Sequence, residues 1–272
     1  QEKREGGHSM NQEHGFTLVE VMVSLAISVV VVGVTYGVYS NQQRAFVAQR
    51  QVSEIQQNLR SSMYLLEMGI KSARYDPTES GFTRILTADS GVLQYEADIN
   101  GNMNDFSQVL PGNNPPIANS DPNERVRFAL NNDAGGDGVA DGFPCDFVRE
   151  TWAGGGQPMA DNIEVLNFVY LDGTGTPLAP LPLSAADRDD IRTIQVTIVA
   201  RSARADTRRL DGGMADPLNP GNPMGYFNLQ GQRILDAPND NFYRRVLSRV
   251  IDCPNIYLRP AAAAPPAPAP GP

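Results

Sequence analysis

The sequence predicts an α+β fold, in which one long N-terminal helix packs on an antiparallel β-sheet head. Three observations lead to this prediction. An apolar run begins at Phe16, a one-sided apolar stripe follows it towards Tyr75, and strand-like runs occupy much of the remaining chain. We therefore divide the chain into a leader at 1–15, a helix at 16–75, a head at 76–259 and a tail at 260–272.

The first part of the predicted helix, residues 16–39, is apolar and carries a single charge, Glu20. As a helix this run is roughly 36 Å long, which is enough to cross a bilayer. A carboxylate inside the bilayer costs about 2.5–3.5 kcal/mol on insertion, so we expect Glu20 to have a partner or a function there. The alternative is a glutamate near the interface whose side chain reaches water.

The second part of the predicted helix carries apolar residues at steps of three and four. They are Val52, Ile55, Leu59, Met63, Leu66, Ile70 and Ala73. Such a stripe predicts a helix face that docks on the head, and a free coiled-coil stalk is the alternative. Asp76-Pro77 is a plausible helix stop. The Ala/Pro-rich tail at 260–272 is expected to be disordered and partly polyproline.

Strand-like runs follow the predicted helix. They are Phe82–Thr87, Val92–Ala97, Arg125–Leu130, Ile163–Leu171 and Ile191–Arg201. Asp89-Ser90-Gly91 between the first two predicts a hairpin. In the last run apolar and polar residues alternate, which predicts one buried face and one face in contact with water. The run Phe242–Ile251 fits either a strand or a short helix.

Composition excludes several classes of function. The net charge is -9, which argues against a nucleic-acid partner, because such a protein needs a basic face. The two histidines, His8 and His14, both precede Gly15, so removal of the leader leaves no histidine. Histidine-based catalysis and histidine-ligated metals are then excluded. With no Walker loop and no GxSxG motif either, we expect no enzymatic activity.

The residues GFTLVE at 15–20, followed by the apolar run, resemble the type IV prepilin family. The resemblance implies that a membrane prepilin peptidase cuts after Gly15, that Phe16 is the N-methylated terminus, and that Glu20 is the assembly carboxylate. In a growing filament the ammonium of an incoming Phe16 can meet a neighbour's Glu20, and this pairing offsets the cost of burying both charges. Met10 would give a six-residue leader, MNQEHG, so we interpret residues 1–9 as an over-extended gene start.

Segments of the predicted head resemble one subgroup of this family. Residues 160–175, 188–203 and 243–251 are similar to the PilW-type minor pilins, which are related to the J-type pseudopilins of type II secretion. The resemblance implies a subunit that primes assembly of a Gram-negative type IV pilus at or near its tip. Implied partners are other minor and major pilins, the prepilin peptidase, the inner-membrane assembly platform and a PilY-type adhesin.

The same resemblance implies a location. Before assembly the chain is expected in the inner membrane with its head in the periplasm, and afterwards in the pilus at the cell surface. Two alternatives stay open: a minor pseudopilin of a type II secretion system, and a membrane-anchored periplasmic enzyme or binding protein. Neighbouring genes would separate the first alternative from the pilus.

Cys145 and Cys253 are the only cysteines. In an exported domain two cysteines are often paired, so we predict a disulfide between them. It would close a loop of roughly 110 residues, with a model gain of about 4–5 kcal/mol. The alternative is two separate buried thiols.

The segment 133–141 resembles the start of a calcium loop. Asp133, Asp137 and Asp141 stand at the first, fifth and ninth positions, and Val139 can offer its carbonyl oxygen. Two expected ligands are missing, because Gly135 and Pro144 occupy their positions. The sequence therefore permits either a calcium site, the one cofactor we considered, or a plain Asp/Gly turn.

Overall fold

A computed structural model describes residues 16–79, 83–101, 124–151, 155–206, 210–215 and 224–257. Three helices and ten strands lie in these ranges: α1 Leu18–Ser72, β1 Ile85–Ala88, β2 Leu93–Glu96, β3 Arg125–Leu130, β4 Phe147–Thr151, β5 Gly155–Ala160, β6 Ile163–Leu171, α2 Ala185–Asp189, β7 Thr193–Arg201, β8 Gly225–Phe227, β9 Arg233–Asp236, β10 Arg244–Asp252 and α3 Pro254–Tyr257. The predicted leader with Gly15 and the predicted tail lie outside the described residues.

The chain divides into two compact units, and the boundary falls within α1 between Gln49 and Arg50. In the first unit every residue of 16–39 is exposed. By length and composition α1 is able to cross a membrane. The helix ends three residues before the predicted Tyr75, because Arg74 adopts a φ of 60°. Such a left-handed residue commonly ends an α-helix.

The part of α1 in the second unit packs in the head. The predicted stripe is buried from Ile55 to Ala73, and only Val52 at its start is half-buried. These side chains form one apolar core with residues from both of the larger sheets, such as Phe128 and Ile198. The coiled-coil alternative is therefore wrong, because the stripe is already covered by the head of its own chain.

Two larger antiparallel sheets and the two-stranded sheet of β8 and β9 build the head, which confirms the predicted α+β fold class. One sheet has the strand order β1-β2-β3-β4-β5 and the other has the order β10-β7-β6. β3 and β6 have the predicted bounds, and Asp89-Ser90-Gly91 joins β1 to β2 as predicted. The ambiguous run at 242–251 is the strand β10. The strands β4, β5, β8 and β9 were not predicted.

One prediction about β7 is wrong for part of its length. Thr197 was expected to face water but is 1% exposed, and its hydroxyl lies 3.0 Å from that of Ser248. The hairpin of β8 and β9 covers this outer face of the sheet, where Tyr226 packs against Val165 and Val199. A strand with alternating residues is thus buried on both faces, because a remote segment folds over it.

Candidate assembly segment and buried polar clusters

The start of α1 is fixed by two of its own side chains. The Glu20 N–H donates to Thr17 Oγ1 at 3.3 Å, and the Thr17 N–H donates to Glu20 Oε2 at 3.5 Å. This reciprocal arrangement is a capping box, although both distances are long for N–H···O bonds. Glu20 therefore has a role inside its own chain, which the sequence analysis did not identify. Phe16, two residues before the helix, is 84% exposed.

The hydroxyls along the apolar run are satisfied within the helix. Ser24, Ser28 and Thr35 donate to the carbonyl oxygens four residues earlier, at 2.7–2.8 Å. Backbone and hydroxyl groups satisfied in this way are compatible with lipid. Glu20 differs from them, because a carboxylate can accept several hydrogen bonds and among the described residues it accepts one long bond. In this segment its carboxylate is the group that keeps capacity for an external cation.

The structure describes two of the three predicted assembly residues. Phe16 and Glu20 lie together at the start of the exposed apolar segment, as the motif requires. Gly15 lies outside the described residues, so cleavage and methylation stay predictions. No prediction about these residues is contradicted by the geometry.

The predicted disulfide is absent from the structure, in which Cys145 and Cys253 are both free and fully buried. Cys145 lies beside Asn132, with its Sγ 4.0 Å from that carbonyl, whereas the N–H of Cys253 donates to the carbonyl of Arg192. The two thiols thus occupy different places in the core. Burial raises the pKa of both, to about 12 for Cys253. A raised pKa disfavours the reactive thiolate, so both sulfurs act as small apolar groups.

The calcium ligand set is not assembled. Asp133 accepts the N–H groups of Gly136 and Gly138 at 2.7 and 2.9 Å, and Asp141 accepts that of Ala134 at 2.7 Å. Asp137 accepts the N–H of Val139 at 2.9 Å. Among the described residues no group of three or more acidic, histidine or cysteine side chains is placed to hold a metal ion. The geometry therefore favours the Asp/Gly turn, in which each carboxylate organises its own loop.

This loop joins the two sheets. The Leu166 N–H donates to the Gly138 carbonyl at 2.8 Å, and the Ser90 hydroxyl donates to the Asp137 carbonyl at 3.2 Å. Gly138 has a φ of +86°, and a Cβ there would meet the Leu166 carbonyl. Glycine is required at this position because the loop runs against the edge of β6. The acidic loop is therefore a structural connection between the two sheets.

A buried arginine that the sequence analysis missed organises the outer layer of the head. The side chain of Arg244 is 1% exposed and binds both oxygens of Glu164. It also binds Asp240 at 2.5 and 2.7 Å and Asp211 at 3.3 Å. Burial alone would lower the pKa of Arg244, but the bonds to Asp240 and Glu164 raise it. The bond to Arg244 in turn lowers the pKa of Asp240.

The Arg244 cluster fastens the covering segment to the sheet. Asp211 and Asp240 form an isolated bridge on either side of the β8–β9 hairpin, and Tyr226 of that hairpin donates to Asp211 at 2.7 Å. The adjacent Arg201 lies over the rings of Phe143 and Phe242, at 3.0 and 4.3 Å from their centroids. Nothing in the sequence identified this cluster, because its members are far apart along the chain.

A second buried carboxylate, Glu96, supports the end of α1. It is fully buried and is bound by Arg125 at 2.5 Å and by Arg84 at 3.2 Å. Its backbone carbonyl accepts the N–H of Arg74, the residue that ends the helix. Burial raises the pKa of Glu96, and the two arginines act against that shift. Both buried clusters are networks of ion pairs within the fold.

In three-dimensional structure the chain is similar to a type IV-like pilin from Thermus thermophilus. The two are 14% identical with a TM-score of 0.41, and the match covers 74% of this chain and 97% of that one. No curated protein matches the sequence.

The prokaryotic N-terminal methylation motif matches residues 10–36. The matched range begins at Met10 and includes Gly15, Phe16 and Glu20. It also includes most of the exposed apolar run that can cross a membrane. The motif and the helix that carries it support a protein of the type IV pilin family.

Proposed function

We propose that this chain is a minor pilin that takes part in priming and assembly of a type IV pilus, at or near the tip. The observation that carries the proposal is the methylation motif at 10–36, which includes the start of an exposed apolar helix with one carboxylate, Glu20. An apolar surface of this extent needs lipid before assembly and neighbouring helices afterwards. The chain then moves from the inner membrane, with its head in the periplasm, to the pilus.

Assembly starts with cleavage after Gly15, which creates a new amino group on Phe16 at the start of α1. In lipid, that ammonium and a carboxylate are each costly alone, and pairing between subunits offsets the cost. Glu20 can serve as the partner, because its carboxylate accepts one long hydrogen bond from the residues that the structure describes. A bond to a neighbouring Phe16 competes with this bond and leaves the cap from Thr17 Oγ1 to the Glu20 N–H in place.

The head supplies contacts and not chemistry. Its buried arginines and carboxylates are paired with one another, and its thiols are buried with raised pKa values. We therefore propose a structural, non-enzymatic role without a cofactor or a nucleic-acid partner. The proposed partners are other minor and major pilins, the prepilin peptidase, the assembly platform and a PilY-type adhesin.

Deletion of the gene followed by complementation tests this function. We expect loss of pili on deletion and recovery with the wild-type gene. Glu20→Ala should be cleaved and reach normal membrane levels, yet cross-link poorly to other pilins. Ser24→Ala is the matched control, because it lies one turn further along the same helix and carries no charge. Normal pili in the deletion strain would contradict the proposal.

The J-type resemblance of the head favours one second candidate, a minor pseudopilin of a type II secretion system. The same deletion strain separates the two functions. Loss of protein secretion with normal pili would support the pseudopilin, whereas loss of pili with normal secretion supports the minor pilin.

A further inference from the structure

The two larger sheets have four edge strands, and three of these are covered or interrupted. Beside β1, the Leu183 N–H donates to the Ala88 carbonyl at 2.9 Å. Along β6, loop carbonyls accept from Leu166 and Phe168 at 2.8 and 2.7 Å. β5 contains Pro158, which has no N–H, after the exposed Gly155-Gly156. Proteins commonly protect sheet edges in these ways, because an open edge can pair with another chain.

The fourth edge, along β10, pairs with no strand but β7 among the residues that the structure describes. At the two ends of the β10–β7 pair, Tyr243 accepts from Ser202 and Cys253 donates to Arg192. The register between these ends is continuous, so odd-numbered residues of β10 bond to β7 and even-numbered residues point their N–H and C=O away from it. Within the described ranges no backbone hydrogen bond reaches these outward groups of Val246, Ser248 or Val250.

The two faces beside this edge differ in chemistry. Two arginines lie on the α1 face: Arg249 pairs with Glu67 at 2.5 Å, and the guanidinium of Arg245 donates to the Arg244 carbonyl at 3.4 Å. On the other face stand Val246 and Val250, and the side chain of Val250 is 53% exposed. In the part of the chain that the structure describes, no carboxylate pairs with Arg245.

We infer that β10 binds an extended segment of another protein chain, which adds to the sheet as a further strand. Only an extended backbone presents donors and acceptors at the spacing of the outward groups of β10. The segment carries acidic side chains on the face of Arg245 and Arg249 and apolar side chains on the face of Val246 and Val250. This inference goes beyond the proposed function and does not depend on it.

A second copy of this chain does not fit the edge. Antiparallel pairing of two β10 strands would bring the arginines of both copies to the same face of the joined sheet. Like charges in such positions destabilise the pair. The occupant is therefore a different segment with complementary charge.

The test uses the full chain in detergent and a labelled peptide of the length of β10, with glutamate and valine in alternation. We expect saturable binding by fluorescence anisotropy. A peptide with N-methyl groups on the pairing amides should not bind, because it cannot donate to the edge. A peptide with lysine in place of glutamate should bind at least about tenfold more weakly.

Two protein variants test the edge itself. Val250→Pro removes one outward N–H without touching the bonds to β7, and should weaken peptide binding at least about tenfold. Val250→Thr keeps the N–H and should stay within about twofold of the wild type. Arg245→Glu should reverse the preference from the acidic to the basic peptide.

Hydrogen exchange of the wild-type chain provides a readout that needs no variant. Saturation with the acidic peptide should slow exchange of the Val246, Ser248 and Val250 amides, whereas Leu247 and Arg249 are already protected by β7. The proposal is overturned if the peptide does not bind, if it binds without slowing these amides, or if Val250→Pro and the N-methylated peptide bind normally. Self-association of the free chain that Val250→Pro abolishes would identify a second copy as the occupant and also overturn it.

Discussion

The N-terminal unit and the head unit place their apolar side chains in opposite environments. From Phe16 to Val38 the large apolar side chains are 52–84% exposed, whereas Leu66 and Ile70, later in the same helix, are fully buried. The polar groups follow the same division, since the serines of the first unit are satisfied within one helix and the ion pairs of the head link distant strands. The first unit therefore depends on lipid or neighbouring chains, whereas the head buries the apolar side chains of its core within its own fold.

This comparison predicts that the largest loss of stability comes from a buried charge in the head. Arg244→Ala should lower the free energy of unfolding of the head by about 3–5 kcal/mol, because Glu164, Asp211 and Asp240 lose their shared cation. Chemical denaturation followed by near-ultraviolet circular dichroism measures this. The neighbouring exposed residue gives the control, and Arg245→Ala should stay within about 0.5 kcal/mol of the wild type. A small loss for Arg244→Ala would show that the cluster does not hold the covering hairpin.

The next largest difference is expected for a leucine-to-alanine substitution, made once in each unit. Leu66→Ala should destabilise the head by about 2–5 kcal/mol, because it leaves a cavity in the core. Leu25→Ala, in the same helix but 67% exposed, should leave the unfolding of the head unchanged. The same denaturation experiment on both detergent-solubilised variants is the measurement. Equal effects of the two substitutions would break the distinction between the units.

The pH dependence should separate the two buried clusters. The pKa of Asp240 is lowered in the fold. The Asp240 carboxylate therefore stabilises the head at pH values above its unfolded pKa of about 3.9, and this stabilisation is lost as the pH falls through its folded pKa. The pKa of Glu96 is raised in the fold, so its effect on stability has the opposite sign. The free energy of unfolding rises as the pH falls from the folded pKa of Glu96 towards its unfolded pKa of about 4.3. Asp240→Asn should flatten the loss at low pH, and Glu96→Gln should flatten the gain. Unchanged profiles in denaturant titrations across this range would contradict the assignment.

The smallest expected effect is that of a reductant. Because Cys145 and Cys253 are free and buried in separate places, a thiol reductant should leave the unfolding midpoint of the head unchanged. Alkylation in denaturant without reductant, followed by mass spectrometry, should modify both cysteines. A linked peptide in exported protein would instead restore the disulfide that the sequence predicted.

Sequence periodicity predicted those parts of the fold that depend on local order. The stripe from Ile55 to Ala73, the strands β3 and β6 and the turn at Asp89-Ser90-Gly91 were all identified, because burial on one side leaves a regular spacing. The strands β8 and β9 are short and lie between long Gly- and Pro-containing segments, so they left no such pattern. The outer face of β7 was misjudged for the same reason, since its cover comes from that hairpin.

The features of the candidate site also fall into two groups, those determined by neighbouring residues and those determined by the tertiary structure. By itself the sequence determined the apolar run, the motif at its start and the isolation of Glu20, because these are properties of neighbouring residues. Only the tertiary structure decided that the cysteines lie apart and that Arg244 gathers three carboxylates. It also decided that β10 is an edge strand of its sheet. Such features depend on which distant segments meet, and that is set by burial of the whole core rather than by local spacing.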